Sequence, residues 1–235
     1  MTTATTRRPA EARARLFELT ALLLGYPDRE LHSAHAEFTA AASGIADDGA
    51  GAHVLPFLDW FANTPQHEVE QHYVQVFDLR RRSGLYLTYY LHGDTRKRGI
   101  ALLTLKQRYR AHGLRLHDGE LPDLLPVVLE FAALVGPGEG EAPLRQHRHG
   151  VELLRSALTE LRSPYAHLLD AVAAVLPPLT DDDRKAIAAL AVDGPPVESV
   201  GLRGYGDDGP ADELAGIGAG PEIALSTCST PEVAP

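Results

Sequence analysis

Apolar positions recur along most of this chain at spacings of three and four, the period of a helix that buries one face. Leu16, Leu19, Thr20 and Leu23 share one stripe and predict a first helix over 9–24, with a proline at its opening and Gly25-Tyr26-Pro27 at its end. Asp28 is placed to cap a second helix over 28–42 that turns Leu31, His35, Phe38 and Ala42 inward. A short apolar helix is expected over 55–62, after which Thr64-Pro65 restarts the chain with Val69, Tyr73, Val76 and Phe77 on one face. Residues 77–84 read as a helix end and a turn, and the aromatic stretch 85–91 comes next as a buried helix or core segment. Gly93-Asp94 opens a helix to His112, with Leu102, Leu105 and Tyr109 inward and Gly113 just past its end. Glu120-Leu121-Pro122-Asp123 begins another, running to about residue 135. The seam Leu144, His147, Val151, Leu154, Leu158 and Leu161 predicts one helix over 143–161. Ser163-Pro164 introduces the next, with Tyr165, Leu168, Leu169, Val172 and Leu176 inward, and Thr180 with Asp183 forms a capping-box pattern for a last helix to residue 192.

The pattern therefore predicts an all-α protein, a single compact helical domain over 1–193 with about eight to nine helices and no strand. Residues 194–235 hold 8 Gly and 6 Pro among 42, with seven acids against one Arg, and are expected to form a flexible acidic tail. Composition agrees with helices, since Leu and Ala far outnumber the β-branched Ile and Val, which stiffen on a helix. A hydrophobic share of 44% is ample for a packed core.

Charge and cysteine narrow the function. The net charge of 22 − 32 = −10 argues against a general nucleic-acid binder, and no nucleic-acid partner is expected. Cys228 is the only cysteine, so the chain cannot build a disulfide framework, a zinc finger or a Cys-ligated iron–sulfur cluster by itself. Arg7-Arg8 resembles the start of a twin-arginine signal, but Glu11, Arg13, Arg15 and Glu18 break up the adjoining stretch, and the longest apolar run there is Ala21-Leu22-Leu23-Leu24. A cytoplasmic protein without stable membrane insertion is the expectation.

Enzyme motifs are absent. His67 and His72 lie five residues apart, about 140° around a helix, so they cannot grip one metal as a pair one turn apart would. His32/His35 and His147/His149 read as core-edge or surface histidines. Gly216-Ile217-Gly218-Ala219-Gly220 has no strand before it and so no context for cradling a phosphate. No metal, cofactor or catalytic residue is predicted.

The informative stretch is 78–110. It holds nine Lys and Arg against Asp78 and Asp94, a local +7. Arg96, Lys97 and Arg98 occupy a helix's first turn, where the macrodipole disfavours cations by about 0.3–1 kcal/mol each, so something acidic should answer them. Internal partners such as Asp78, Asp94, Glu120 or Asp123 are the plainer answer, and an anionic ligand or partner segment the other. Three tyrosines, Tyr86, Tyr89 and Tyr90, fall within seven residues, apolar bodies with polar tips that suit a groove for an amphipathic peptide as well as a core.

Several motifs here stand in matching order and spacing. They are Leu24-Gly25-Tyr26-Pro27, Tyr73-Val74-Gln75-Val76-Phe77-Asp78, Leu85-Tyr86-Leu87 and His92-Gly93-Asp94-Thr95-Arg96-Lys97-Arg98-Gly99, then Tyr109 with His112-Gly113-Leu114, and Glu120-Leu121-Pro122-Asp123 with Leu129-Glu130-Phe131. Over residues 15–135 the chain resembles the nitrate reductase molybdenum-cofactor assembly chaperone family of the NarJ type, related to the TorD/DmsD-type chaperones. That resemblance implies an all-helical fold and a cytoplasmic, enzyme-specific chaperone that is not itself an enzyme. Its partner would be the N-terminal segment of the apo catalytic subunit of respiratory nitrate reductase, held competent for cofactor insertion and membrane assembly, and it would not remain in the finished enzyme. Molybdenum-cofactor delivery proteins are further implied partners. Leu124 stands where the family commonly has the His of Glu-Leu-Pro-Asp-His, so a role tied to that imidazole does not carry over.

The client-binding residues so implied are Tyr73, Phe77, Leu85, Tyr86, Tyr89, Tyr90, His92, Asp94, Arg98, Glu120, Pro122, Asp123 and Glu130. Tyr73, Phe77, Leu85, Tyr86 and Tyr89 are expected to floor a groove for an amphipathic helix, and Glu120, Asp123 and Glu130 to meet basic client residues. Reversible binding sets the expected affinity at about 10⁻⁷–10⁻⁵ M. The alternatives are a chaperone for another molybdoenzyme subunit or a twin-arginine signal peptide, and, remotely, a helical enzyme or ligand-binding protein using His92, Asp94 and Glu120.

Overall fold

Leu16, Phe17, Leu19, Thr20 and Leu23 all turn to the interior from one helix, α1 (Ala4–Leu23), as their spacing requires. The computed structural model describes residues 4–45, 49–117 and 119–196. The acidic tail expected over 194–235 lies outside the described residues from 197 onward. After α1, the Asp28 carboxylate accepts from the Leu31 amide at 2.8 Å and starts α2 (Arg29–Ser33). The single helix expected over 28–42 is broken at Ala34, whose amide is shared between the Glu30 and Leu31 carbonyls, and α3 (His35–Ile45) comes after it. A tertiary bond explains the break. His32 Nε2 donates to the Thr64 carbonyl at 3.1 Å, and its ring packs 5.0 Å from Phe61, which fixes α2 against the next segment of chain.

Helices α4 (Val54–Asn63) and α5 (Gln66–Tyr73) lie where the apolar pattern put them. The chain then widens into one π-turn, Val74–Asp78, closed by the Leu79 amide on the Val74 carbonyl at 3.0 Å. That extra residue per turn keeps both Val76 and Phe77 buried. A 3₁₀ turn at Arg81–Ser83 leads to α6 (Leu87–His92), which ends at Gly93 with φ +56, and to α7 (Arg96–Ala111).

Glu120-Leu121-Pro122-Asp123 does not open a helix as the sequence suggested. It is a turn, and α8 (Leu125–Val135) begins only after it. The reason is a competing pairing: Tyr86 and Leu124 form an isolated antiparallel bridge, with the Leu87 amide on the Asp123 carbonyl at 3.0 Å and the Leu125 amide on the Leu85 carbonyl at 2.8 Å. The helix expected over 143–161 is two, α9 (Ala142–Gln146) and α10 (Arg148–Glu160), divided at His147 with φ −105 and ψ 25. Last come α11 (Ala166–Val175) and α12 (Asp181–Asp193), the latter with the expected capping box of Thr180 and Asp183. Twelve α-helices and no strand are found among the described residues. The count exceeds eight or nine because two of the expected helices are each divided in two and the aromatic stretch, expected as a helix or core segment, forms α6.

Helix α1 packs along α8 and crosses α3 and α11, while α10 meets α6, α9, α11 and α12. Tyr165 sits at the hub of an aromatic cluster, its ring 4.8 Å from Phe57, 4.9 Å from Phe77 and stacked on His72 at 6.0 Å. Gly150 lets α10 approach α6, since a Cβ there would lie 2.9 Å from the Leu87 carbonyl oxygen. A satellite core of Leu105, Tyr109 and Phe131 ties α7 to α8.

Candidate functional site

Between α1 and the outer face of α8 runs a groove of about 520 Å³. Leu24, Leu85, Leu124 and Val127 contribute to its floor, and Tyr73 closes one side. Three large apolar side chains on its lips face solvent: Leu22 at 49%, Tyr26 at 50% and Leu134 at 64% exposure. Clustered exposed apolar groups beside a recess mark an interaction surface more than they mark a solvated wall. Glu18, Glu120 and Glu130 line the same groove, with Arg15 the one cation among its lining residues. A smaller recess of about 120 Å³ continues on the other side of α8, bounded by Leu114, Leu116 and Phe131, and shares Glu120, Glu130 and Leu134 with the first. The first, a largely apolar recess edged by carboxylates, can take an amphipathic segment with an apolar stripe and basic flanks, while the second is of mixed polarity, with Arg115 and His117 in its lining.

A buried framework holds the groove wall. Asp123 is 0% exposed, and its Oδ2 accepts from both the amide and the hydroxyl of Thr88, at 3.2 and 2.5 Å. Arg98 brings Nη2 to 3.6 Å from the same oxygen and donates through Nε to the Thr88 hydroxyl at 3.3 Å. Its guanidinium also lies over the rings of Tyr86 and Tyr89, 5.7 and 5.8 Å from their centroids. Tyr109 donates to the Pro122 carbonyl at 2.7 Å. The turn at 120–124 is thus pinned from α6 and α7 at once, and with it Leu85 and Leu124 in the groove.

The residues inferred from sequence divide into three groups. Tyr73, Leu85, Glu120 and Glu130 meet at the groove, although Tyr73 and Leu85 present only edges, being largely buried. The Tyr73 hydroxyl donates to the Leu24 carbonyl at 3.2 Å, and burial drives its pKa upward. Tyr86, Asp94, Arg98, Pro122 and Asp123 form or border the framework. Asp94 pairs with Arg98 at 3.2 Å, so the acids that answer Arg98 are Asp94 and Asp123, both internal partners. Asp123 is therefore corrected from a client-facing carboxylate to a positioning one, because its charge is enclosed. Phe77 is corrected from an open floor to the interior, where it packs 4.8 Å from Tyr73, and Tyr90 from a client-binding residue to a largely buried one whose hydroxyl donates to the Arg82 and Gly84 carbonyls at 3.1 and 2.9 Å. Tyr89 and Tyr90 line a separate cavity of about 290 Å³ with Leu153 and Leu190.

His92 ends α6, and no hydrogen bond or ion pair joins it or Asp94 to Glu120 among the described residues. No group of three or more His, Cys, Asp or Glu able to hold a metal is found among them either. Sequence reasoning missed Leu22, Tyr26, Leu134 and Glu18. The usable signal lay in α1 and α8, where Leu22 and Leu134 fall off the buried stripe of their own helices, apolar residues on faces that should be polar.

Residues 43–171 match the family model described as the nitrate reductase delta subunit. The nitrate reductase-like protein NarX of Mycobacterium tuberculosis is 41% identical over 158 residues, which is 67% of this chain but 24% of NarX, so the chain spans about a quarter of that relative's length. A Bacillus subtilis protein designated a nitrate reductase molybdenum cofactor assembly chaperone, NarJ, is 33% identical over 160 residues, 68% of this chain and 87% of its own. The NarJ chaperone of Escherichia coli K12 is 33% identical over 166 residues, 70% of each chain. A solved structure from Archaeoglobus fulgidus, described as a candidate redox enzyme maturation protein, superposes with a TM-score of 0.51 at 21% identity, over 67% of this chain and 90% of that one. That last likeness is one of fold.

Proposed function

This chain belongs to the nitrate reductase delta-subunit family, and from that premise we propose that it is an assembly chaperone for a nitrate reductase. In this reading it acts in the cytoplasm on the apo catalytic subunit, binds that subunit's N-terminal segment, and keeps it competent for molybdenum-cofactor insertion and membrane assembly. It binds and releases, and carries out no chemistry of its own. The observation that supports this most directly is the groove between α1 and α8, with exposed Leu22, Tyr26 and Leu134 and the carboxylates Glu18, Glu120 and Glu130.

An amphipathic client helix would lay its apolar stripe over Leu22, Tyr26 and Leu134, removing those side chains from water. Its basic flank would meet Glu18, Glu120 and Glu130, which are solvated in the free protein and so add orientation and on-rate more than affinity. The helix must also be given up, which a half-open groove with a polar rim allows, and micromolar binding is the consequence. Among the described residues no helix is long and apolar enough to cross a membrane.

The test is calorimetric titration with a peptide of the first residues of the nitrate reductase catalytic subunit. Binding near 10⁻⁷–10⁻⁵ M is expected, weakened roughly tenfold or more by Leu22→Glu with Leu134→Glu, and several-fold by Glu120→Lys with Glu130→Lys. A folded protein that ignores both the peptide and the intact apo subunit overturns the reading.

A further inference from the structure

Helix α7 carries the most one-sided charge in the molecule. From 95 to 117 the sequence holds seven Lys and Arg and no Asp or Glu, within a chain whose net charge is −10, so the remainder carries −10 − 7 = −17. Arg98 is turned inward to Asp94 and Asp123, but Arg96, Lys97, Lys106 and Arg110 are exposed. Between them stand two aliphatic side chains that contribute nothing to the core, Ile100 at 67% and Leu103 at 53% exposure. At about 100° per residue, Ile100 and Leu103 fall about 60° apart in the middle of the outward arc, with Lys97 on one flank and Lys106 and Arg110 on the other.

We propose that this face of α7 docks on the surface of an anionic lipid bilayer. An aliphatic pair flanked by long cationic side chains is what the boundary between anionic headgroups and acyl chains rewards: the apolar tips enter the boundary while Lys and Arg reach back to the phosphates. The sixteen residues of α7 extend about 24 Å, enough to lie along a bilayer surface, and a recess of about 590 Å³ at its C-terminal end is lined by Lys106, Arg110 and Arg115, cations placed for headgroup phosphates. The face offers nothing aromatic for nucleobases to stack on. Charge also orients the contact, because the same surface repels the groove rim of Glu18, Glu120 and Glu130. The inference stands on the exposure and charge of α7 alone, independently of which client the groove takes.

Co-sedimentation of the full chain with vesicles tests it, comparing equimolar phosphatidylglycerol and phosphatidylcholine against phosphatidylcholine alone, at low and high salt. Pelleting with the anionic vesicles at low salt is expected, falling at least tenfold in affinity on neutral vesicles and fading with salt. Lys97→Glu with Lys106→Glu and Arg110→Glu should weaken it roughly a hundredfold, at about fivefold or more per cation. Ile100→Ser with Leu103→Ser should weaken it roughly tenfold. All five positions are exposed, so both variants keep the fold, which circular dichroism checks. Absence of pelleting by the folded protein, pelleting that neither set of substitutions changes, or equal binding to polyglutamate or RNA without preference for anionic vesicles would each overturn the proposal.

Discussion

Replacing Asp123 with alanine removes an acceptor that two elements share inside the protein. The Thr88 amide and hydroxyl lose their acceptor, and Arg98, largely buried, is left with the exposed Asp94 as its one carboxylate partner. Breaking a buried ion pair by deleting one member costs about 3–5 kcal/mol, because the surviving charge and donors stay desolvated. Asp123→Asn keeps an oxygen at the same place and loses only the charge assistance, so about 1–2 kcal/mol is expected. For a domain of this size each kcal/mol lowers the melting temperature by roughly 2–4 °C, which places Asp123→Ala roughly 6–20 °C below the parent. Urea unfolding followed by circular dichroism measures the loss. A double-mutant cycle with Thr88→Val should return a coupling of at least about 1 kcal/mol. Because the same turn carries Leu124 in the groove, Asp123→Asn should also weaken peptide binding while the protein is still fully folded. An Asp123→Ala protein that loses less than about 1 kcal/mol, or shows no coupling to Thr88, refutes the framework as described.

Two further outcomes rest on the packing and titration of single residues. Gly150→Ala places a Cβ 2.9 Å from the Leu87 carbonyl oxygen, and overpacking of about 1–3 kcal/mol, offset by up to about 1 kcal/mol of helix propensity, leaves a net loss of about 1–2 kcal/mol in denaturant midpoints; a stabilised variant contradicts the α6–α10 contact. His147 is held neutral chiefly by burial, its pKa lowered to about 4 against an ordinary 6.5. The unfolded chain therefore binds the proton first, so this contribution is present above about pH 6.5 and is lost as the pH falls through 4, on the order of 1–3 kcal/mol. Urea midpoints at pH 7 and pH 4.5 should differ more in the parent than in His147→Gln, and equal differences would remove the assignment.

The sequence made the helices legible wherever burial followed a simple stripe. Leu16 to Leu23, Val69 to Phe77 and Tyr165 to Leu176 all face inward as their spacing required. It misled where a distant partner overrode local preference. The bond from His32 to the Thr64 carbonyl broke one helix, and the bridge between Tyr86 and Leu124 held Pro122-Asp123 out of a helix that its composition favoured. Such pairings join residues 32 to 91 positions apart or more and leave no periodic trace, as with His72 and Ser163. The candidate site was half legible for the same reason. Motif residues such as Glu120 and Glu130 do line the groove, but others in the same motifs, Pro122 and Asp123, hold the wall up instead. Tyr26 stands in the Leu24-Gly25-Tyr26-Pro27 motif but reads there as a helix end, and the lips at Leu22 and Leu134 belong to no motif and become visible only when the buried stripes of α1 and α8 are known.

The wall of the groove is tied down at both ends. The bridge and Asp123 hold the start of α8, while at its end Gly140 folds so closely that a Cβ there would lie 2.4 Å from the Gly136 carbonyl oxygen. Opposite, Arg13 of α1 is clamped to Glu141 at 2.9 Å. With little slack in either wall, the ordering entropy of complex formation falls almost wholly on the guest, at about 1–2 kcal/mol for each residue it must fix. Affinity then depends on how readily the guest segment coils by itself, and substitutions in that segment far from any contact would tune it. On the proposed chaperone reading, release would also be triggered from the guest's side: once its leading residues found a better-ordered home in their own maturing fold, a rigid host would have no means of pursuing them.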